Sequence, residues 1–444
     1  MEVRQRHDPG SCQPLKYAVM KHNLTIEKVS LLLILVITGI TACVKDACKR
    51  EHTYTYYEAV YKTKDEVRAN IKSNTSRPIE TPGKIYIRGN YVFLNEVDRG
   101  IHVIDNSNPS APKPVSFIDI PGNLDMAVKG NILYADLYTD LVALDITDPV
   151  HAKLTKIVEG VFPYRVYGNG FVRSVSNDMI ITDWVRRDTV LRESCDQPNW
   201  FRSWGRADVF MTTVNSSQSG AASSPIGTGG SMARFAILNE RLYTVSISEL
   251  EVFNITDSRN PGHTNTVSIG WNIETIYPFR DKLFIGSTSG MFIYHASNPD
   301  APSLAGQFSH VSSCDPVVAD DNYAYVTLRS GTECQGFTNQ LEIVKLNNLT
   351  DPTLEKTYPM KNPHGLSKDA DLLFICDGAA GLKVYNASDV KNLRLLDEVK
   401  DLDTYDVIAM NGIALISARD GLYQYSYADP ENLKLLSRLV LEKK

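Results

Sequence analysis

The stretch Ile101-His102-Val103-Ile104-Asp105, followed by Asn108-Pro109, is one copy of a phrase that recurs along the 444-residue chain. Each copy joins a short apolar run to an Asn-Pro or Asp-Pro pair. Later copies end in Asp148-Pro149, Asn260-Pro261, Asn298-Pro299, Asp351-Pro352 and Asp429-Pro430. A sequence unit that returns at roughly forty residues indicates a stack of one supersecondary structure. The repeat therefore predicts the architecture of the chain more firmly than any single residue predicts its chemical activity.

The second unit shows what one repeat contains. Four short runs, 124–129, 132–136, 141–146 and 152–158, alternate apolar and polar residues, and Gly130-Asn131 joins the first two. Period-two alternation is typical of half-buried strands. An Asn-Pro or Asp-Pro pair favours a tight turn, because the side chain accepts backbone hydrogen bonds and Pro fixes φ. A four-stranded antiparallel meander repeated at this period is one blade of a β-propeller.

The spacing of the units predicts an all-β chain with eight blades over residues 83–444, with seven blades as the alternative. The alternative arises because the third unit departs from the repeat around Trp184 and is followed by an insertion at about 192–230. A shorter interruption covers Ser330–Asn339. Insertions in repeat proteins map to loops on one face, often the binding face.

Two copies of the phrase carry a family resemblance. Ile101-His102-Val103-Ile104-Asp105 and Leu141-Val142-Ala143-Leu144-Asp145 resemble the LVIVD repeat of bacterial surface and periplasmic proteins, often from Bacteroidetes. The resemblance extends over residues 83–444 and implies the β-propeller fold. It implies no catalytic residues, because a structural repeat rather than an activity defines the family.

The N-terminal region has the pattern of an export signal. Lys28 precedes an apolar run over residues 29–40, which leads into Thr41-Ala42-Cys43. About a dozen apolar residues are too few to span a bilayer but suit the core of a signal peptide. Small residues directly before a cysteine resemble the bacterial lipobox, in which the cysteine is lipidated and becomes the mature N-terminus. An ordinary signal peptide with a chance cysteine is the alternative.

These features predict the organisation of the N-terminal part of the chain. Residues 1–42 are expected to be a signal peptide, and residues 1–19 precede a conventional start at Met20. Cys43 is the predicted site of lipidation, palmitate included, and residues 43–82 are expected to form a lipid-anchored tether and short cap. Lys45-Asp46 resembles the surface-export signal of Bacteroidetes lipoproteins. We therefore expect the outer membrane, with the chain on its periplasmic or surface-exposed face.

Charge and cysteine content limit the partners. The formal net charge is −6 and acids and bases are interspersed, which disfavours nucleic-acid binding. An extracytoplasmic chain can form disulfides, and Cys314 with Cys334 is the candidate bridge because both fall at loop positions of one unit. Cys376 lies in an apolar run and is expected to be buried packing. No cysteine pair has the spacing of a zinc site.

Aligning the units places unlike, mostly charged residues where each first strand opens the central channel. These candidates are Asp125, Arg165 or its neighbour Tyr164, Arg234, Glu274, Asp315, His364 and Asp406. Converging charges at a channel mouth are the default site of an uncharacterised fold. They could bind a ligand, hold Ca²⁺ through carboxylates, or simply pair with one another. No other cofactor is predicted. His364 with Asp315 and Asp406 is the one acid–base set that could support catalysis.

The sequence therefore favours a lipid-anchored, extracytoplasmic β-propeller that acts as a binding or scaffolding module at the cell envelope. The expected partner is an envelope protein or a glycan. One alternative is a glycan-active propeller enzyme, a lyase or hydrolase with its site at the channel mouth. The other is a purely structural envelope protein. Whether the chain is an enzyme stays undecided, with binding preferred.

Overall fold

The computed structural model describes residues 49–162, 164–166, 172–174, 179–194, 228–309, 316–330 and 338–441. Before the first blade come strand β1 (Lys49–Thr63), helix α1 (Lys64–Arg68) and strand β2 (Lys72–Thr75). Thr63 begins the helix with a capping box, in which its side chain and that of Glu66 each accept from the other's backbone amide. The remaining described strands belong mostly to seven antiparallel sheets, the four-stranded blades of a β-propeller, and in the first of these sheets β2 pairs with the outermost strand as an additional strand.

The first four blades are as follows. Blade I contains β3 (Pro82–Arg88), β4 (Tyr91–Glu96), β5 (Gly100–Asp105) and β6 (Lys113–Asp119). Blade II contains β7 (Met126–Lys129), β8 (Ile132–Leu137), β9 (Asp140–Asp145) and β10 (Lys153–Val158). Blade III contains β15 (Phe235–Leu238), β16 (Arg241–Val245), β17 (Glu249–Asn254) and β18 (Gly262–Ser268). Blade IV contains β19 (Ile273–Phe279), β20 (Lys282–Ser287), β21 (Gly290–His295) and β22 (Ser303–Ser309).

The last three blades complete the ring. Blade V contains β23 (Val317–Ala319), β24 (Tyr323–Leu328), β25 (Gln340–Lys345) and β26 (Thr353–Pro359). Blade VI contains β27 (Leu366–Asp369), β28 (Leu372–Cys376), β29 (Leu382–Asn386) and β30 (Arg394–Val399). Blade VII contains β31 (Thr404–Met410), β32 (Ile413–Ala418), β33 (Gly421–Ser426) and β34 (Lys434–Val440). Each innermost strand contacts the innermost strand of the next blade, and β31 contacts β3, so the ring is closed.

The blade count is seven, the alternative that the sequence left open, rather than eight. The described residues of the third predicted unit form the hairpin of β11 (Tyr164–Val166) and β12 (Val172–Ser174) and the long strand β13 (Met179–Ser194). β13 pairs with β1 in a separate two-stranded sheet. Its central residues Arg186, Arg187 and Asp188 are exposed. A strand with charged, exposed residues cannot pack between two blades, so this unit does not form one.

The repeated phrase has the predicted roles of sheet core and turn. Phe93, Phe284 and Phe374 from the second strands are fully buried between blades. Asp105 ends the third strand of blade I, and its Oδ1 accepts hydrogen bonds from the Ser107 amide at 2.9 Å and the Ser107 hydroxyl at 2.5 Å. Asp145 accepts the equivalent pair from Thr147 in blade II. These short-range bonds fix the turn that leads to each outermost strand.

The chain divides into two compact units. The larger, residues 57–186 and 208–444, contains the propeller. The described part of the smaller, which comprises residues 1–56 and 187–207, consists of the ends of β1 and β13. There the Thr55 hydroxyl donates to Asp188 Oδ1 at 2.6 Å. Within the residues that the structure describes, no helix has the length and apolarity needed to cross a membrane.

Candidate functional site

The propeller channel is occupied by the chain itself. Strand β14 (Thr228–Gly229) pairs antiparallel with β3 on the side away from β4, which is the side facing the channel. The Gly230 amide extends this ladder to Ile85 O at 3.3 Å. Ser231, Met232 and Ala233 follow with at most 2% of their surface exposed. We call residues 228–233 the central segment. It lies inside the ring of innermost strands and leads directly into β15 of blade III.

The central segment is bound to blades on several sides of the channel. The Leu366 amide of blade VI donates to Ser231 Oγ. The Ile276 amide of blade IV donates to Ala233 O at 2.8 Å. Lys84 Nζ of blade I donates to Met232 O at 3.3 Å. Because these partners come from different blades, the segment connects blades I, IV and VI through hydrogen bonds inside the ring.

Asp406, one of the predicted site residues, lies against the central segment at the start of blade VII. Its Oδ1 accepts from the Ser231 amide at 3.1 Å and from the Ser231 hydroxyl at 3.2 Å. Its Oδ2 is buried and has no hydrogen-bond partner among the described residues. Burial raises the pKa of Asp406 well above its usual range, and the hydrogen bonds from Val407 and Ser231, with the charge of Lys84, only partly oppose this. Burial therefore favours the protonated, neutral form of this carboxyl group.

Two glycines hold the Asp406 carboxyl between them. A methyl group added to Gly230 would overlap Asp406 Oδ2, and one added to Gly365 would overlap Oδ1. Neither glycine has a positive φ, so close approach rather than backbone conformation explains their presence. The carboxyl is thus packed on both sides, which restricts it to its contact with Ser231.

Asp125, a second predicted site residue, forms a buried ion pair with Lys84. The Lys84 Nζ to Asp125 Oδ2 distance is 3.0 Å, and the two residues are 2% and 3% exposed. Asp125 Oδ2 also accepts the Arg234 amide, where the central segment enters blade III. Burial lowers the pKa of Lys84, and the Asp125 carboxylate opposes that shift. The pair therefore joins blades I, II and III around the end of the segment.

The remaining charged candidates are placed as follows. The Arg234 side chain donates from Nη2 to Ile273 O at 3.3 Å, which links blades III and IV. Glu274 is half-buried in β19. Arg165 lies in β11, where only the backbone is described, and Asp315 lies outside the described residues. The structure thus brings Asp125, Arg234 and Asp406 together around the central segment as structural partners.

His364 is buried beside this cluster without joining it. Only 6% of the residue is exposed, and its ring packs edge-on against Tyr405 at 5.4 Å between centroids. Its Nε2 lies 3.1 Å from Asn362 Nδ2. Burial, with a smaller effect of Arg329, lowers the pKa of His364 to about 3. No hydrogen bond or ion pair joins His364 to Asp406 in the described part of the chain, so this pair is not arranged for proton transfer.

Sequence reasoning missed Lys84 and Ser231. Lys84 interrupts the otherwise apolar start of β3, between Gly83 and Ile85, and this break in the strand pattern was a legible signal of a buried partner. Ser231 gave no such signal. It follows a Ser- and Gly-rich stretch, and small polar residues in that setting predict a loop.

The metal and disulfide predictions concern residues that the structure describes only in part. Among the described residues, no three His, Cys, Asp or Glu side chains are grouped closely enough to hold a metal ion. Cys43, Cys314 and Cys334 all lie outside the described residues. Cys376 is a free thiol in β28, fully buried as predicted, and burial raises its pKa.

Comparison with known proteins agrees with the fold. Residues 83–118 and 124–159, which correspond to blades I and II, match the LVIVD repeat family. No curated protein matches the chain significantly in sequence. The chain therefore carries LVIVD repeats on a seven-bladed β-propeller.

Solved structures with a similar arrangement share little sequence. The computationally designed protein Ika8 aligns with a TM-score of 0.49 and 9% identity, covering 82% of this chain and 89% of that chain. Sqt1 of Saccharomyces cerevisiae aligns with a TM-score of 0.47 and 8% identity, covering 87% and 89%. PorZ of Porphyromonas gingivalis, a surface component of the type-IX secretion system, aligns with a TM-score of 0.44 and 14% identity, covering 82% of this chain and 39% of that one.

Proposed function

We propose that this protein is a lipid-anchored β-propeller outside the cytoplasm that acts as a binding or scaffolding module at the cell envelope. The observation that carries the proposal is the central segment. It fills the channel that propellers commonly use for ligands, and its Ser231 and the adjoining Arg234 engage Asp406 and Asp125. A ring whose blades are connected by hydrogen bonds through the central segment is a rigid platform, and its outer loops form the surface on which a partner would bind.

The state of the candidate acid–base residues supports binding over catalysis. His364 is buried and neutral, and burial raises the pKa of Asp406 and so favours its protonated form. A general acid or base needs to reach the substrate within hydrogen-bond distance or through one water. Asp406 is only 3% exposed and its carboxyl is in contact with Ser231 of the central segment, which argues against access of a glycan to this carboxyl.

The envelope location rests on the N-terminal sequence. Residues 29–42 have the composition of a signal-peptide core with small residues directly before Cys43. In the source cell, Cys43→Ala is expected to move the protein from the membrane fraction to the soluble fraction and to abolish labelling by a palmitate analogue. Cys48→Ala is the matched control and is expected to leave both unchanged. A Cys43→Ala protein that stays membrane-bound would contradict the anchor.

Binding and catalysis are separated by one pair of variants. His364→Gln and Asp406→Asn keep the shape of each side chain while removing its acid–base function. As a binding module, the protein should cross-link to the same envelope partner in intact cells with or without both substitutions. Purified protein that depolymerises an envelope glycan, and loses that activity in either variant, would favour the enzyme.

A further inference from the structure

A second feature of the propeller unit is a small cleft on the same side of the ring as the starts of the innermost strands. Its volume is about 260 Å³. Residues of β1, α1 and β13 form one side, and the loops after β6 and β8 form the other. The lining includes Val60, Lys62, Val67, Pro121, Tyr138 and Asp183. Pockets for drug-sized ligands are typically about 300–1,000 Å³, so this cleft suits a smaller molecule.

Two opposite charges line the cleft without being paired. Lys62 from β1 and Asp183 from β13 are both exposed. Neither forms an ion pair with another described residue. Asp183 Oδ1 accepts only the adjacent Trp184 amide, at 2.7 Å. An ammonium and a carboxylate that line one cleft without meeting leave room for a ligand that carries both charges.

The floor of the cleft is an aromatic ring held in an unusual backbone conformation. Tyr138 has a φ of 54° in the turn between β8 and β9, a region that bulky residues rarely occupy. In the corresponding turn of blade I, the residue with positive φ is Asp98, a type that tolerates it. The Tyr138 hydroxyl donates to Thr182 O at 3.3 Å. Strained residues persist where the surroundings fix them, and they are concentrated at functional sites.

The neighbouring loop is shaped to fit this ring. Gly122 has a φ of 75°, and a methyl group added to it would lie 2.7 Å from the Tyr138 ring. Tyr138 is 5% exposed and Val67 is 1% exposed, and both belong to one cluster of buried apolar side chains. Together with Val60 and Pro121 these side chains give the cleft an apolar part, beside polar lining residues that include Lys62 and Asp183. This pattern of apolar walls with a few placed polar groups is typical of ligand sites.

We propose that this cleft binds a small zwitterion, namely a free α-amino acid with an apolar side chain. Asp183 would receive the ammonium group and Lys62 the carboxylate, each through a charge-assisted hydrogen bond. The apolar side chain of the ligand would lie against the apolar lining that includes Val60, Pro121 and the Tyr138 ring. The inference does not depend on the scaffolding role, because the cleft and the central segment share no residue.

Calorimetric titration of the purified protein with L-leucine and L-phenylalanine tests the proposal. We expect saturable binding of at least one of them. Leucinamide, which lacks the carboxylate, and N-acetyl-leucine, which lacks the ammonium, should each bind about tenfold more weakly or worse, since hydrogen bonds to charged groups are among the stronger ones. Absence of binding at ligand concentrations of about 10 mM, or equal affinity for all three leucine compounds, would overturn the proposal.

Two single substitutions test which charged residue of the cleft binds which charged group of the ligand. Lys62→Met should weaken L-leucine binding about tenfold while affecting leucinamide binding little. Asp183→Asn should likewise weaken L-leucine binding about tenfold while affecting N-acetyl-leucine binding little. Lys72→Met in β2 and Asp371→Asn in blade VI are matched surface controls with no expected effect. If the controls weaken binding as much as the cleft variants do, the site lies elsewhere and the assignment is wrong.

Discussion

Asp406 Oδ1 accepts two hydrogen bonds from Ser231, one from the backbone amide at 3.1 Å and one from the hydroxyl at 3.2 Å. The two residues are 175 positions apart in sequence. This contact fixes blade VII to the central segment, and the segment continues into blade III. Blade VII, the last in the chain, is therefore held in place by Ser231, a residue that precedes blade III in the sequence.

Asp406→Asn should change the pH dependence of stability. The folded-state pKa of Asp406 is raised by burial, so the folded protein keeps a proton that the unfolded chain loses above pH about 4. Stability therefore falls as pH rises toward the folded pKa. Asparagine mimics the neutral acid and does not titrate. Urea unfolding from pH 4 to pH 8 should show the variant gaining stability relative to the wild type as pH rises. A constant difference would contradict a protonated Asp406.

Lys84→Met should be strongly destabilising. It leaves the Asp125 carboxylate buried without its cation, and breaking a buried pair in this way typically costs about 3–5 kcal/mol. Lys391→Met removes the exposed partner of Glu355 and should cost much less stability, because exposed ion pairs contribute little. Chemical denaturation of the two variants gives the comparison. Equal, small losses would show that Lys84 is not paired inside the channel.

Gly230→Ala tests the packing around the Asp406 carboxyl. The added methyl would overlap Asp406 Oδ2, and overpacking of a filled interior costs about 1–3 kcal/mol. Gly262→Ala is the control, since nothing lies within 4 Å of the added methyl there. In the double variant Gly230→Ala with Asp406→Ala, the overlap is relieved, so the two losses should not add. Full additivity would place Gly230 away from Asp406.

His364→Gln should make the protein less sensitive to acid. Burial lowers the folded-state pKa of His364 to about 3, from an ordinary value of 6.5. Below pH 6.5 the unfolded chain gains a proton that the folded protein does not. The folded state therefore loses stability as the pH is lowered, by up to roughly 5 kcal/mol near pH 3. The variant lacks this loss, and thermal unfolding at pH 4 and pH 7 should show it. His151→Gln, on the surface, controls for loss of a histidine in general.

Much of the fold could be predicted because it depends on local patterns. The apolar run before Asp105 and the Asn108-Pro109 turn specify a strand and its exit without reference to the rest of the chain. The number of blades could not be settled in this way. It depends on β13 pairing with β1, a contact between segments more than a hundred residues apart, as the Thr55–Asp188 bond shows.

The sequence did not indicate what the charged residues at the strand starts contact. Register alone placed Asp125, Arg234 and Asp406 at the starts of the innermost strands. Whether such charges face water or one another depends on what fills the channel, and a Gly- and Ser-rich segment carries little sequence signal for that. Its small side chains let it pass beside Gly365 and Asp406, a steric fit that only the closed ring defines.

The most direct test of the central claim is native-state hydrogen exchange at the Ser231 amide. If the central segment lies inside the closed ring, this amide should exchange only through global unfolding, with the same protection as the buried amides of β3. The same protection should be lost in Lys84→Met in proportion to its loss of stability. Exchange within seconds, as in an exposed loop, would show that residues 228–233 lie outside the channel and that the channel is open to a ligand.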